Sequence, residues 1–258
     1  MDFHSVLGGV LSGSDLRPLW VVLITLAAGA SRGFSGFGSG MIFIPLVSAL
    51  YSPLLAIVLL FLIDFICTTP MLLPHFRNCN WREVLPLVIA SSITFPLGLF
   101  FLTRLDPVLV RWAISLFIGF MVLVMASGWR YRATPTPMVV LGIGSISGFI
   151  SGAIGTGGSL IVLFWLGSQA RAARVRSNIF AYFGLFAVVN AVGYWLAGLL
   201  TRDALIVALL LLPVYFVPIF LGQKIFNRSS DAVYRRVSLI FCGGVSLLTL
   251  PLWERLGL

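Results

Sequence analysis

Hydrophobic positions in this chain form long runs, and polar residues are largely confined to short stretches between them. From Leu19 to Leu50 the chain is apolar apart from Arg32 and a centre rich in glycine and serine. As one straight helix this run would measure ~48 Å, well beyond a hydrocarbon layer about 30 Å thick. The pattern therefore predicts two half-helices, Leu19–Gly33 and Ser39–Leu50, folded back on each other as a re-entrant hairpin. Runs at Leu54–Leu73, Val84–Thr103 and Val108–Trp129 follow, each near the ~20 residues that cross a bilayer. A second interrupted run, Met138–Gly167, precedes three more, at Ile179–Leu200, Ala204–Gln223 and Val237–Leu252.

The two interrupted runs are related. Gly29, Gly33, Gly36 and Gly38 fall on Gly148, Gly152, Gly155 and Gly157 at a single offset (148 − 29 = 119), and the same shift carries the first three spans approximately onto the last three. The organisation expected is a polar lead (1–18), a first membrane repeat (19–129), a linker with two arginines and two prolines (130–137) and a second repeat (138–258).

Composition turns this pattern into a class. With 59% hydrophobic and 10% charged residues and a mean hydropathy of +1.07, the chain is an all-α polytopic membrane protein rather than a soluble domain. A net charge of +9 does not point to nucleic acid, because the basic residues are scattered among the loops. MDFHSVLGG begins with an acid and carries no basic region, so no cleavable signal peptide is expected. If each interrupted run is a hairpin, the basic residues other than Arg32 divide 5 against 11 between the two sides; if each crosses fully, they divide 7 against 9. The positive-inside rule prefers the hairpins. A hairpin plus three spans makes an odd number of crossings, so the halves become inverted repeats, with both termini outside the cytoplasm.

Candidate chemistry lies at the breaks. The second arm of a hairpin starts inside the membrane, where its free N–H groups and positive dipole end suit an anion. The candidate substrate-binding residues are Arg32, Gly33, Ser35, Gly36, Gly38 and Ser39 in one copy, and Gly152, Gly155, Thr156, Gly157, Gly158 and Ser159 in the other. The two tips are expected to meet at the midplane around a small oxyanion. An arginine within a membrane element is a functional candidate, though Arg32 also suits the C-terminal carbonyls of its own half-helix. Asp64 is a charge partner or a proton carrier. The glycines also read as small-xxx-small pairs for close helix packing, such as Gly29 with Gly33.

Weaker candidates are His75, Asn78, Asn190 and Asn178, the last explained as a helix cap, while Arg171, Arg174 and Arg176 read as topology determinants. Cys67, Cys79 and Cys242 show neither a disulfide framework nor metal spacing, and no metal or cofactor is expected. Gly33-Phe34-Ser35-Gly36 matches the G-x-S-G of rhomboid-type serine hydrolases, but the only histidines, His4 and His75, sit in the lead and a loop, so no enzyme is expected. A non-transporting membrane assembly protein is the other alternative. A homo-oligomer is compatible with the sequence.

GFSGFGSGMIFIPL in the first half and SGFISGAIGTGGSLIVLF in the second, with the duplicated helical plan, resemble the TauE/SafE sulfite exporter family, also described as four-toluene-sulfonate uptake permeases. The resemblance covers essentially the whole chain. It implies a multi-pass permease of the bacterial inner membrane that moves small sulfur-containing anions, sulfite or organosulfonates, usually outward. The family's motif glycines correspond to Gly33, Gly36, Gly38, Gly152, Gly155, Gly157 and Gly158. The repeat departs from symmetry where Arg32 faces Ser151 and Ser39 faces Gly158.

Overall fold

The computed structural model describes residues 16–35, 38–127, 136–167 and 172–226. The expected span Val237–Leu252, most of the lead and of the linker, and Gly36 lie outside the described residues. Among the described residues the chain is entirely helical: α1 (Arg17–Ser35), α2 (Ser39–Leu50), α3 (Pro53–Phe76), α4 (Trp81–Arg104), α5 (Pro107–Ala126), α6 (Pro137–Ile154), α7 (Gly158–Gly167), α8 (Ala172–Leu196) and α9 (Arg202–Phe226). Both interrupted runs break at their glycines. Among the described residues five stretches are long and apolar enough to cross a membrane: Trp81–Arg104, Pro107–Val124, Pro137–Ile154, Ser177–Leu196 and Arg202–Leu221. Large apolar side chains stand exposed along them, including Ile93 on α4, Leu116 on α5 and Leu209 on α9, as a lipid-facing surface requires.

Several helices outrun their hydrophobic stretches. α3 continues to Phe76, so the polar segment expected from Pro74 to Glu83 contracts to 77–80 before α4 starts at Trp81. α8 begins at Ala172, which puts Arg174 and Arg176 in its first turns rather than in a loop. Hydropathy marks the part of a helix that meets hydrocarbon, whereas alanine and arginine continue a helix readily in water.

The chain forms two compact units, each drawing on both halves of the sequence. The first unit contains α1, α2, the start of α3, α5 and α9; the second contains the rest of α3 with α4, α6, α7 and α8, the division falling between Ile63 and Asp64.

In the second unit the dominant packing is α4 on α6. A Cβ placed on Gly148 would lie 2.2 Å from the carbonyl oxygen of Ser91, and one on Gly152 would lie 2.3 Å from that of Phe95. Gly144 similarly faces Leu87. Glycines four apart thus meet backbone four apart, at a constant difference (144 − 87, 148 − 91 and 152 − 95 all give 57), so α4 and α6 run parallel. In the first unit α1 lies on α9 in the same manner: a Cβ on Gly29 would sit 2.5 Å from the Tyr215 carbonyl oxygen, and one on Gly33 would sit 2.0 Å from that of Ile219. In lipid, where apolar burial gives little drive for helix association, such small-residue contacts supply it.

α8 is parallel to α4 as well. Asn178 bonds to Asn80 and Glu83, Tyr182 to Ser91, and Tyr194 packs on Phe95, so positions rise together along both helices. α6 and α8 therefore point the same way, and α7 must run back between them. Gly157, at the start of α7, lies against Ser147 and Ser151 of α6, while Trp165 near its end reaches Glu83 at the start of α4. On the register of 57, Ser147 and Ser151 correspond to Ala90 and Thr94, so the break sits level with the middle of α4.

Replacing Gly148 by leucine is expected to lower the thermal midpoint of the detergent-solubilised protein, because overpacking typically costs about 1–3 kcal/mol and here the obstruction is backbone. Gly142, one turn and a half away on α6, has open space around its Cβ position, and Gly142→Leu is expected to leave the midpoint unchanged.

Candidate functional site

The break between α6 and α7 is built from Gly155, Thr156 and Gly157. Gly155 closes α6 with φ 74°, a left-handed conformation that glycine adopts without strain, and its N–H donates to the Ser151 carbonyl at 3.0 Å. Two carbonyls of the turn, those of Thr156 and Gly157, are then taken up. Thr156 C=O accepts from Ser159 N–H at 3.2 Å and from the Ser159 hydroxyl at 2.8 Å. Gly157 C=O accepts from Leu160 N–H at 3.1 Å and from the Ser147 hydroxyl at 2.9 Å.

The donors are not used in this way. Among the described residues no acceptor serves the amides of Thr156, Gly157 and Gly158, and the Thr156 hydroxyl is buried without a hydrogen-bond partner. Thr156 is 5% exposed. A buried hydroxyl and free amides at the start of a helix form a set of neutral donors with the positive dipole end behind them, which is the arrangement an oxyanion needs. The turn is held by Ser147 on α6, which is joined through Tyr182 on α8 to Ser91 on α4, all fully buried. The Tyr182 hydroxyl lies 2.9 Å from the Ser91 hydroxyl and 3.3 Å from that of Ser147, and Ser91 also donates to the Gly144 carbonyl at 2.8 Å.

Of the residues singled out from sequence, Gly155, Thr156, Gly157, Gly158 and Ser159 come together at this turn. Gly152 faces the Phe95 carbonyl of α4 and Gly33 faces the Ile219 carbonyl of α9, so both are placed where helices pack. Arg32 occupies the last turn of α1 and is half-buried, and Ser35 is the final residue of that helix. Gly38 precedes α2 with φ −76°, in the ordinary right-handed region, and Ser39 opens α2 in full burial. Asp64 is half-buried within α3.

Sequence reasoning missed Ser147, Ser91 and Tyr182, and also a second cluster around Glu83 at the start of α4. Glu83 accepts from Asn80 Nδ2 at 2.7 Å, from Asn178 Nδ2 at 3.1 Å and from Trp165 Nε1 at 3.3 Å. Asn178 is not a helix cap. It lies inside α8, where its Oδ1 accepts the Asn80 N–H at 2.7 Å, because α8 starts at Ala172, seven residues before the apolar run (179 − 172). Asn80 is the cap instead, accepting from Arg82 N–H at 3.3 Å. The cluster ties the far end of α7, through Trp165, to the starts of α4 and α8.

No group of metal-ligating side chains occurs among the described residues. A family model described as sulfite exporter TauE/SafE matches residues 21–249. The chain belongs to the TauE/SafE family. That is a family of membrane transporters of the sulfite-exporter type, not of enzymes, which sets aside the serine-hydrolase alternative. Comparison with curated proteins and with solved structures gave no match.

For this TauE/SafE member, Asn178→Ala is expected to cost about 1–3 kcal/mol, since it strands the Asn80 amide and removes a donor from Glu83; a thermal melt against Asn190→Ala as control measures it. Cys79, in the short segment between α3 and α4, donates to the Phe76 carbonyl at 3.4 Å, and burial pushes its thiol up from the ordinary value. A raised pKa leaves less thiolate at every pH below it, so maleimide labelling of a Cys79-only variant is expected to lag behind a free thiol at pH 7.5 and to accelerate as pH rises.

Proposed function

We propose that the protein exports a small sulfur-containing oxyanion, sulfite or an organosulfonate, across the bacterial inner membrane, and that the anion binds at the start of α7. The observation that carries this reading is the buried Thr156 hydroxyl, which has no partner among the described residues, beside the amides of Gly157 and Gly158, which have none there either. A hydroxyl left unpaired in a membrane interior costs about 1–3 kcal/mol, an expense that an incoming acceptor recovers. Three neutral donors and a helix dipole attract an anion without holding it as a fixed cation would, which suits a site that must also release its load.

The glycine break of α1 and α2 is its counterpart in the other repeat, with Arg32 and Ser35 in the last turn of α1 and Gly38 and Ser39 at the start of α2. Support for two inverted repeats comes from matching contacts. Gly29 and Gly33 on α1 meet Tyr215 and Ile219, while Gly148 and Gly152 on α6 meet Ser91 and Phe95. The glycines differ by 119 (148 − 29 and 152 − 33) and their partners by 124 (215 − 91 and 219 − 95). Each broken element thus packs on the corresponding helix of the opposite half. The return of α7 supports the hairpin, and with it the side bearing most arginines as cytoplasmic.

Transport proceeds by alternating access around the tips. Export needs no coupling ion, because an inside-negative potential drives an anion out by about 2.3 kcal/mol per charge per 100 mV. Concentrative uptake would need one, and Asp64 is the candidate proton carrier when it does not serve as a charge partner.

Gly157→Leu is a poor probe of this site, since a Cβ there would lie 2.1 Å from the Ser147 carbonyl oxygen and the change would report packing. Thr156→Val keeps the shape and removes the donor. In proteoliposomes it is expected to raise the KM for sulfite roughly tenfold or more, the worth of a hydrogen bond to a charged group. An unchanged KM would put the anion elsewhere.

A further inference from the structure

The hydroxyls behind the tip hold one proton too few. From α6 to α6 through α4 and α8 there runs a chain of oxygens: Gly144 carbonyl, Ser91 hydroxyl, Tyr182 hydroxyl, Ser147 hydroxyl, Gly157 carbonyl, with separations of 2.8, 2.9, 3.3 and 2.9 Å. Four links need four protons, and the three hydroxyls supply three, because both ends are carbonyls that only accept. One link is always unmade. The longest, between Tyr182 and Ser147, identifies it: Ser91 donates to Gly144, Tyr182 donates to Ser91, and Ser147 donates to Gly157. Full burial of all three residues keeps the count closed.

A single rotation of the Ser147 hydroxyl moves the gap. Donation from Ser147 to Tyr182 completes the Tyr182 link and withdraws the side-chain donor from the Gly157 carbonyl. That carbonyl belongs to the same planar peptide as the Gly158 N–H, which points the opposite way. Holding the carbonyl toward Ser147 of α6 therefore aims the Gly158 amide away from that side chain, and an anion on the amide polarises the peptide and strengthens the Ser147 bond in turn.

Resting on the anion site proposed above, we infer that Ser147 and Tyr182 are positioning residues with opposed effects: Ser147 pins the Gly157–Gly158 peptide in its anion-binding orientation, and Tyr182 offers the acceptor that lets it go. The pair sets how tightly the anion is held and how readily it leaves. Among the described residues the Tyr182 hydroxyl bonds to Ser91 and Ser147 and to none of the donor set, so it acts through Ser147.

The test uses the full-length protein, sulfite as probe, binding by calorimetry in detergent and flux in proteoliposomes, with wild type, Ser147→Ala, Tyr182→Phe and Thr156→Val. Each change removes a hydroxyl and adds little or no bulk. Ser147→Ala is expected to weaken sulfite binding roughly two- to tenfold, and Tyr182→Phe to tighten it by a similar factor while slowing maximal flux. A merely structural role would move both variants in the same direction. If Thr156→Val weakens binding while Ser147→Ala and Tyr182→Phe shift it together or not at all, the positioning roles are overturned and the anion site stands. If Thr156→Val binds sulfite like wild type, the site itself is overturned, and the positioning roles with it. Should Ser147→Ala melt early, Ser147→Cys replaces it; the thiol is a weaker donor, and an affinity between wild type and Thr156→Val is expected, whereas wild-type affinity would overturn the role of Ser147.

Discussion

A helix stopped inside a membrane leaves polar backbone where no water is present to receive it, and the architecture of the second unit follows from that constraint. At the break after Ile154 the carbonyls of Thr156 and Gly157 are satisfied by Ser159, Leu160 and Ser147, while the amides and the Thr156 hydroxyl find no partner among the described residues. The asymmetry is chemical. The carbonyls of Thr156 and Gly157 are paired within the chain, while the donors beside them meet no acceptor among the described residues, a local contrast that favours an anion over a cation.

Keeping such a turn in place requires rigid surroundings, and glycine provides them by letting backbones touch. Gly148 and Gly152 bring α6 against α4 closely enough for the Ser91 hydroxyl to reach the Gly144 carbonyl and for Thr94 to donate to the Ser145 carbonyl at 2.7 Å. α8 closes the group from the other side, stacking Tyr182 on Phe186 and setting Phe186 edge-on to Phe95. Glu83, at the start of α4, secures the far end of α7 through Trp165. The short helix is thus fixed at both ends, by hydroxyls at its start and a carboxylate near its finish.

Much of this was legible in the chain itself. The over-long runs announced the breaks, and the recurrence of four glycines located them correctly; α1 and α2 begin and end within two residues of the half-helices expected. The repeated glycines proved to have more than one duty. Gly155 makes the turn, whereas Gly148 and Gly152 make the crossing with α4, and spacing alone does not separate a residue used for φ from one used for proximity. Ser91, Ser147 and Tyr182 stood in plain view as polar interruptions of apolar runs, but they come from three different runs and no local rule pairs them. Helix ends were misjudged at Phe76 and Ala172 because hydropathy follows the hydrocarbon and hydrogen bonding does not. The same error made Asn178 look like a cap.

The central claim is that the unpaired donors of Thr156, Gly157 and Gly158 receive the transported anion. Its most direct test is to locate a heavier analogue: an anomalous-scattering map of the protein crystallised with selenite, collected at the selenium edge. The account predicts a single strong peak within hydrogen-bonding reach of the Thr156 hydroxyl and the Gly158 amide at the start of α7. A peak elsewhere in the membrane region, with this turn unoccupied at saturating selenite, would contradict it.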